Sequence, residues 1–181
     1  MRPLFVLSCL LATSALLAAA QQKMERPGIQ NFTKVDAVVA CGGATDIGAL
    51  EGLKNDGFKT VINLRQASER GAHIEENRAR AAALGLRYIH IPFNAAAPER
   101  KTFDDFLAAI ADTTNQPVYV HCASANRVGA VWLAKRVLQD GWTVEKATEE
   151  ARLIGLSAPA LEQFALQYIA QQRKSSEAAP R

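Results

Sequence analysis

Cys122 and Arg127 stand five positions apart in the segment PVYVHCASANRVG at 117–129, and no other stretch pairs a thiol so closely with a guanidinium. Residues 118–120 form a short apolar run that reads as a buried strand, bounded upstream by the polar TTNQP segment. Residues 123–126 make a tight loop, and Arg127 opens an apolar helix through Val128, Val131, Trp132 and Leu133. A thiol at that junction meets two positive influences, the free N–H groups of a helix start and the arginine. Both favour a thiolate, and both hold an anion in front of it. The bland alternative is a small apolar residue at a strand end, a common place for free cysteine. The reactive reading is preferred, with Cys122 as a nucleophile that needs no separate base.

A cation at a helix start opposes the helix dipole, so Arg127 reads as a planar fork for two oxygens of a phosphate or sulfate. Its partners in anion binding would be Ala123, Ser124, Ala125 and Asn126, the loop between the two. Ser124 reads equally as a hydroxyl donor or a turn residue. Asn126 suits a tight loop, because asparagine tolerates left-handed backbone. His121 ends the strand; it is either a satisfied core residue or a group that orients the loop without carrying protons. The general acid stays open. Expelling an alcohol or phenol wants a protonated carboxyl, and the stretch after the third strand offers Asn94, which cannot serve, then Glu99, Asp104 and Asp105. The two aspartates fall in the first turn of a capped helix, where acids normally serve the dipole. Arg65 and Glu69 lie on a loop facing the site if the sheet is parallel there; Arg65 is a supporting candidate and Glu69 reads as a solvated charge.

The elements that must position these residues alternate along the chain. Strands are expected at 35–40 (VDAVVA), 58–64 (FKTVINL), 86–91 (LRYIHI) and 118–120. A sharp turn at Cys41-Gly42-Gly43 precedes a helix through Ile47, Leu50 and Leu53, with Thr45 as its N-cap. The polar stretch 66–71 reads as mobile. Helices follow at 74–84, stopped by Gly85; after Thr102 as cap, on Phe103, Phe106, Leu107 and Ile110; from Arg127 to about 140; at 144–154 after Thr143; and after Ser157, on Leu161, Phe164, Ala165, Tyr168 and Ile169. Such alternation argues an α/β fold: one three-layer domain at 35–173, with a central, mostly parallel sheet of four to five strands flanked by helices. Ligands in such sheets sit beyond the carboxyl ends of the strands. Arg65, the 92–101 loop and the Cys122 loop, set between strand and helix, all occupy such ends. Residues 21–34 read as a linker and 174–181 as a disordered tail.

The first twenty residues carry Met1-Arg2, an apolar run at 4–17 and Ala18-Ala19-Ala20. That is the pattern of a secretory signal peptide cut after Ala20, which places the mature protein in the periplasm or outside the cell. The run is short for a membrane span, so no stable membrane insertion is expected after cleavage. A lipoprotein reading at Cys9 is the lesser alternative. The mature chain keeps Cys41 and Cys122, too few for a disulfide scaffold. Losing Arg2 lowers the formal charge from +3 by one, to +2, with acids and bases interspersed; no footprint for nucleic acid results. The chemistry read here calls for no metal and no cofactor.

Four segments in this order, the strand–turn–helix opening at 35–53, GFKTVINLR at 57–65, LGLRYIHIP at 84–92 and VHCASANRVGAVW at 120–132, resemble the cysteine-dependent protein tyrosine/dual-specificity phosphatase superfamily. Within it, the chain is most similar to the bacterial beta-lactamase-hydrolase-like phosphatase family, over roughly 35–156. The resemblance implies that Cys122 attacks phosphorus to give a phosphocysteine. Arg127 and the N–H groups of 123–127 would hold the phosphoryl oxygens, and water would then hydrolyse the intermediate. The substrate's class, whether phosphoprotein, phosphosugar or phospholipid head group, stays open.

The chain departs from the superfamily pattern in three ways. Four residues separate cysteine and arginine instead of five, as in this bacterial branch; Ala125 replaces the branch's loop glycine; and Val128 stands where many relatives carry Ser or Thr. Asn94 also lies near the usual position of the acid. The short loop resembles rhodanese-type sulfurtransferases too, and a catalytically weak module that binds phosphate or other anions is a third reading. If the first strand runs parallel to 118–120, Cys41 would come within reach of Cys122 for a reversible disulfide, provided the Cα atoms approach within about 7 Å.

Overall fold

Strands and helices alternate as the sequence suggests, and the strand ends come into line at one edge of the molecule. The structure, a computed structural model, describes residues 21–178; the leader read at 1–20 and the last three residues of the tail lie outside the described residues. The strands are β1 (Gln22–Lys23), β2 (Thr33–Lys34), β3 (Val39–Gly42), β4 (Thr60–Asn63), β5 (Arg87–His90) and β6 (Val118–His121). The helices are α1 (Ala49–Asn55), α2 (Ile74–Ala83), α3 (Arg100–Ala111), α4 (Asn126–Leu138), α5 (Val144–Ile154) and α6 (Pro159–Ala178). They form one α/β domain around a six-stranded sheet of order β1-β2-β3-β6-β4-β5. Its β3–β6, β6–β4 and β4–β5 pairings are parallel; β1–β2 and β2–β3 are antiparallel.

The burial pattern explains the layers. β3, β4 and β6 are buried along their whole length, as expected of strands covered on both faces. Val39, Cys41, Ile62, Val118 and Val120 point toward one core with Phe103, Phe106, Trp132, Ile154 and Tyr168 from α3–α6. Ala40, Val61 and Tyr119 point the other way, to Leu50 and Leu53 of α1 and Ala81 of α2. α4 is buried almost all round, because it lies between the sheet and the α5–α6 pair.

Several boundaries differ from the sequence reading, each for a physical reason. Residues 21–34 are not a linker. They add β1 and β2 to the sheet, anchored by buried Ile29 and Phe32, whose ring stacks on Tyr119. This brings the strand number to six. The first parallel strand starts at Val39, since the Asp36 carboxylate accepts from the Val38 and Val39 N–H groups and holds residues 35–38 in a turn. Thr45 does not cap α1; its hydroxyl pairs with Tyr119 Oη at 2.8 Å. Thr102 lies inside α3, which starts two residues earlier with Glu99 as N-cap. The tail is not disordered through 174–178, which continue α6.

Candidate active site

Register brings the chemistry together. Gly42, Asn63 and His90 end their strands level with one another, with His121 paired to both Gly42 and Asn63. Just beyond these ends lie Gly43, Arg65, the 92–96 stretch and Cys122, at the carboxyl edge where parallel sheets bind ligands. At this edge lies an open cleft of about 430 Å³, lined by Gln66, Glu69, Asn94, Ser124, Asn126, Arg127 and small apolar residues. Cys122 lies at the foot of the adjoining loop, 1% exposed.

The loop after Cys122 is held by its carbonyls and side chains, from outside. Ala123 O accepts from Ala44 N–H at 2.8 Å, and Ser124 O from Asn31 Nδ2 at 3.2 Å. Ala125 O accepts from Gly129 N–H at 2.9 Å. Among the described residues, the N–H groups of Ala123, Ser124, Ala125, Asn126 and Arg127 donate to no protein acceptor. Five free N–H groups at a helix start are the elements of an anion cradle.

Ala125, not Asn126, takes the left-handed conformation, with φ of 69°. Its methyl packs where Gly155 has no side chain; a Cβ on Gly155 would come within 2.9 Å of Ala125 Cβ. The chain thus accommodates an alanine in the loop by having a glycine opposite. Asn126 instead ties the loop to the α5–α6 corner: its Oδ1 accepts from Ser157 and Ala158 N–H, and its Nδ2 reaches Ser157 Oγ.

Glu69 is not a solvated charge. Arg127 Nη1 donates to Glu69 Oε1 at 2.5 Å and to Phe93 O at 2.8 Å, while Nη2 donates to Glu69 Oε2 at 2.8 Å. These bonds occupy the outer edge of the guanidinium and the far side of Nη1. Nε–H and the second Nη2–H remain, side by side, as a fork for two oxygens. Burial works against the charge on Arg127, but the Glu69 hydrogen bonds and the neighbouring Cys122 and Glu69 charges outweigh it and raise its pKa. Burial likewise opposes the Glu69 carboxylate, yet Arg127, the Gln66 N–H and Arg65 hold its pKa down at about 2. Arg65 is a strut. It donates from Nε to Glu69, from Nη1 to Gly71 O and from Nη2 to Arg70 O, folding the 66–71 stretch into a braced turn rather than a mobile loop.

His121 is 3% exposed, stacked on Tyr119 with ring centroids 5.6 Å apart. Burial, with the Arg65 and Arg127 charges, pushes its pKa to about 4, so it is neutral near pH 7 and its Nδ1 has no protein partner among the described residues. Cys41 lies in register with Val120, and both cysteines are free thiols; the disulfide considered from sequence is not formed. Burial, with the Glu150 and Asp36 charges, raises the Cys41 thiol's pKa. Among the described residues no cluster of three His, Cys, Asp or Glu side chains offers a metal site.

None of the three carboxyls expected to supply a proton lines the cleft. Asp104 accepts from Tyr168 Oη at 2.5 Å and from Gln172; Asp105 pairs with Lys101 at 2.6 Å; Glu99 sits at the start of α3. The α3 boundary explains this, since both aspartates lie a turn deeper in the helix than the sequence suggested. Sequence reasoning missed Asn31 and Gly155. The positive-φ turn around Asn31 left no periodic signal, and the role of Gly155 depends on Ala125, 30 positions away in the chain.

A sheet with a cysteine–arginine loop at its carboxyl edge defines the class: a cysteine-dependent phosphatase fold of the tyrosine/dual-specificity type. A family model described as DSP-PTPase phosphatase fused to NAD+ kinase matches residues 13–168, and the chain belongs to that family. No curated protein matches the chain by sequence. Among solved structures, a DUF442 protein from Shewanella putrefaciens CN-32 shares 21% identity at a TM-score of 0.68, over 80% of this chain and 92% of that one. TpbA from P. aeruginosa in complex with pTyr shares 18% identity at a TM-score of 0.62, over 86% and 100%. The core catalytic domain of the PP-IP phosphatase SIW14 from S. cerevisiae, in complex with citrate, shares 18% at 0.63, over 82% and 92%.

Proposed function

We propose that the protein is an exported phosphatase that hydrolyses phosphate monoesters through a phosphocysteine. The observation that carries the reading is the cradle: five N–H groups that donate to no protein acceptor, and an arginine braced by Glu69 and set beside the Cys122 sulfur. Cys122 Sγ, as thiolate, attacks phosphorus, the bond to the leaving oxygen breaks, and the phosphoryl group passes to sulfur. The loop N–H groups and Arg127 stabilise the charge that spreads over the equatorial oxygens. Water then attacks phosphorus, releasing phosphate and returning the thiolate. Glu69 keeps the Arg127 fork aimed, and neutral His121 packs beneath the loop without moving a proton. Export rests on the leader pattern at residues 1–20.

Purified mature protein is given p-nitrophenyl phosphate and, separately, thiosulfate with cyanide, with reductant present. Phosphate release abolished in Cys122→Ser supports the phosphatase. Thiocyanate formation identifies a sulfurtransferase, and anion binding with neither turnover identifies a binding module. Secretion is read from the N-terminus of the processed chain, expected at Gln21.

A further inference from the structure

Resting on that reading, we infer that the site acts on substrates whose leaving group departs unprotonated, so that beside monoesters of acidic alcohols and phenols it takes phosphoric anhydrides. The carboxyl groups near the site are all engaged elsewhere or out of reach of the cleft. Among the described residues, Glu69 is the one carboxylate lining the cleft. Its two oxygens accept from four N–H groups: Arg127 Nη1, Arg127 Nη2, Arg65 Nε and the Gln66 backbone. A carboxyl so occupied has no proton to give and no free lone pair aimed at the cleft. Asp104 lies beneath Tyr168 and Asp105 is paired with Lys101, both on α3. At the cleft wall itself stands Asn94, whose Oδ1 accepts from Ala96 N–H and whose amide has no acidic proton to give a leaving group.

A phenol or alcohol leaving group expelled without a proton donor forfeits a rate factor of about 10²–10⁴. A phosphate leaving group does not, because its second ionisation lies at about 6 and it is already an anion at neutral pH. In the step, Sγ bonds to the terminal phosphorus and the bridging P–O bond breaks. The bridging oxygen keeps the electron pair as part of the departing phosphate, and no proton moves. Gln66, Asn94 and Ser124 supply neutral hydrogen-bond donors at the cleft for that departing group. The second step consumes water, whose proton goes to the released phosphate.

The experiment compares kcat/KM of the wild-type mature chain for inorganic pyrophosphate, p-nitrophenyl phosphate, phenyl phosphate and glycerol phosphate. Pyrophosphate and p-nitrophenyl phosphate are expected to turn over, with phenyl phosphate slower than p-nitrophenyl phosphate by about 100-fold or more and glycerol phosphate slower still. Phenyl phosphate within tenfold of p-nitrophenyl phosphate, or pyrophosphate slower than phenyl phosphate, overturns the inference while leaving the phosphatase reading standing. Failure of all four, with no phosphorylated Cys122, defeats the phosphatase reading itself. Glu99→Gln, Asp104→Asn and Asp105→Asn should leave the phenyl to p-nitrophenyl ratio unchanged; selective loss of phenyl phosphate turnover in any of them identifies a proton donor and overturns the inference.

Discussion

Replacing Glu69 by Gln tests the brace that aims the arginine. The side chain keeps its shape and one acceptor oxygen but loses the charge that pairs with Arg127, itself only 8% exposed. The fall of the carboxyl from 4.5 to about 2 corresponds to about 3 kcal/mol if fully sheltered. With 23% of the Glu69 side chain in solvent, screening leaves about 1–2 kcal/mol. The sign follows from the depressed value: this stabilisation is complete above the unfolded pKa near 4.5 and is lost as pH falls from about 5 to 2. Urea unfolding of wild type and Glu69→Gln at pH 7 and pH 3 should therefore show a gap of about 1–2 kcal/mol at pH 7, shrinking to less than half at pH 3. Phosphatase turnover at pH 7 should fall by about 100-fold in the variant, because the fork drifts off its geometry. A gap that is absent, or equal at the two pH values, refutes the brace.

Gly155→Ala should cost about 2 kcal/mol or more, from its φ of 148° and the contact with Ala125 Cβ. Ala125→Gly alone should change stability by less than about 1 kcal/mol, since relief of left-handed strain offsets the lost methyl. Thermal melts of the double variant should recover at least about 1 kcal/mol of coupling; simple additivity contradicts the contact. His121, with its pKa pushed from 6.5 to about 4, leaves the unfolded chain to take the proton first. Stability should then fall as pH drops from about 6.5 to 4, by up to about 3 kcal/mol, and His121→Asn should flatten that slope in unfolding curves. An unchanged slope means that another group sets it.

The alternation of strands and helices was legible because three strands are buried on both faces and so appear as continuous apolar runs, and α3 shows its apolar stripe plainly. The antiparallel β1–β2 addition was not, since two-residue strands in a polar segment carry no period and are held by Ile29 and Phe32 alone. Cys122 and Arg127 announced themselves by local spacing. Glu69 did not, although four positions from Arg65, because its meaning lies in Arg127, 58 residues away. Ala125 was noticed as standing in place of a loop glycine, but the left-handed backbone was expected at Asn126, and only tertiary structure shows the glycine that makes room for the Ala125 methyl. Asp104 and Asp105 were candidates from sequence because a helix start misplaced by three residues, with Thr102 instead of Glu99 as cap, changes which side chains fall in the first turn.

The most direct measurement is a rapid acid quench during turnover of p-nitrophenyl phosphate, followed by mass spectrometry of the peptide carrying residues 117–129. One phosphoryl group is expected on Cys122, present in wild type and absent from Cys122→Ser. Turnover that persists in Cys122→Ser, or a phosphoryl group found on any other residue, contradicts it.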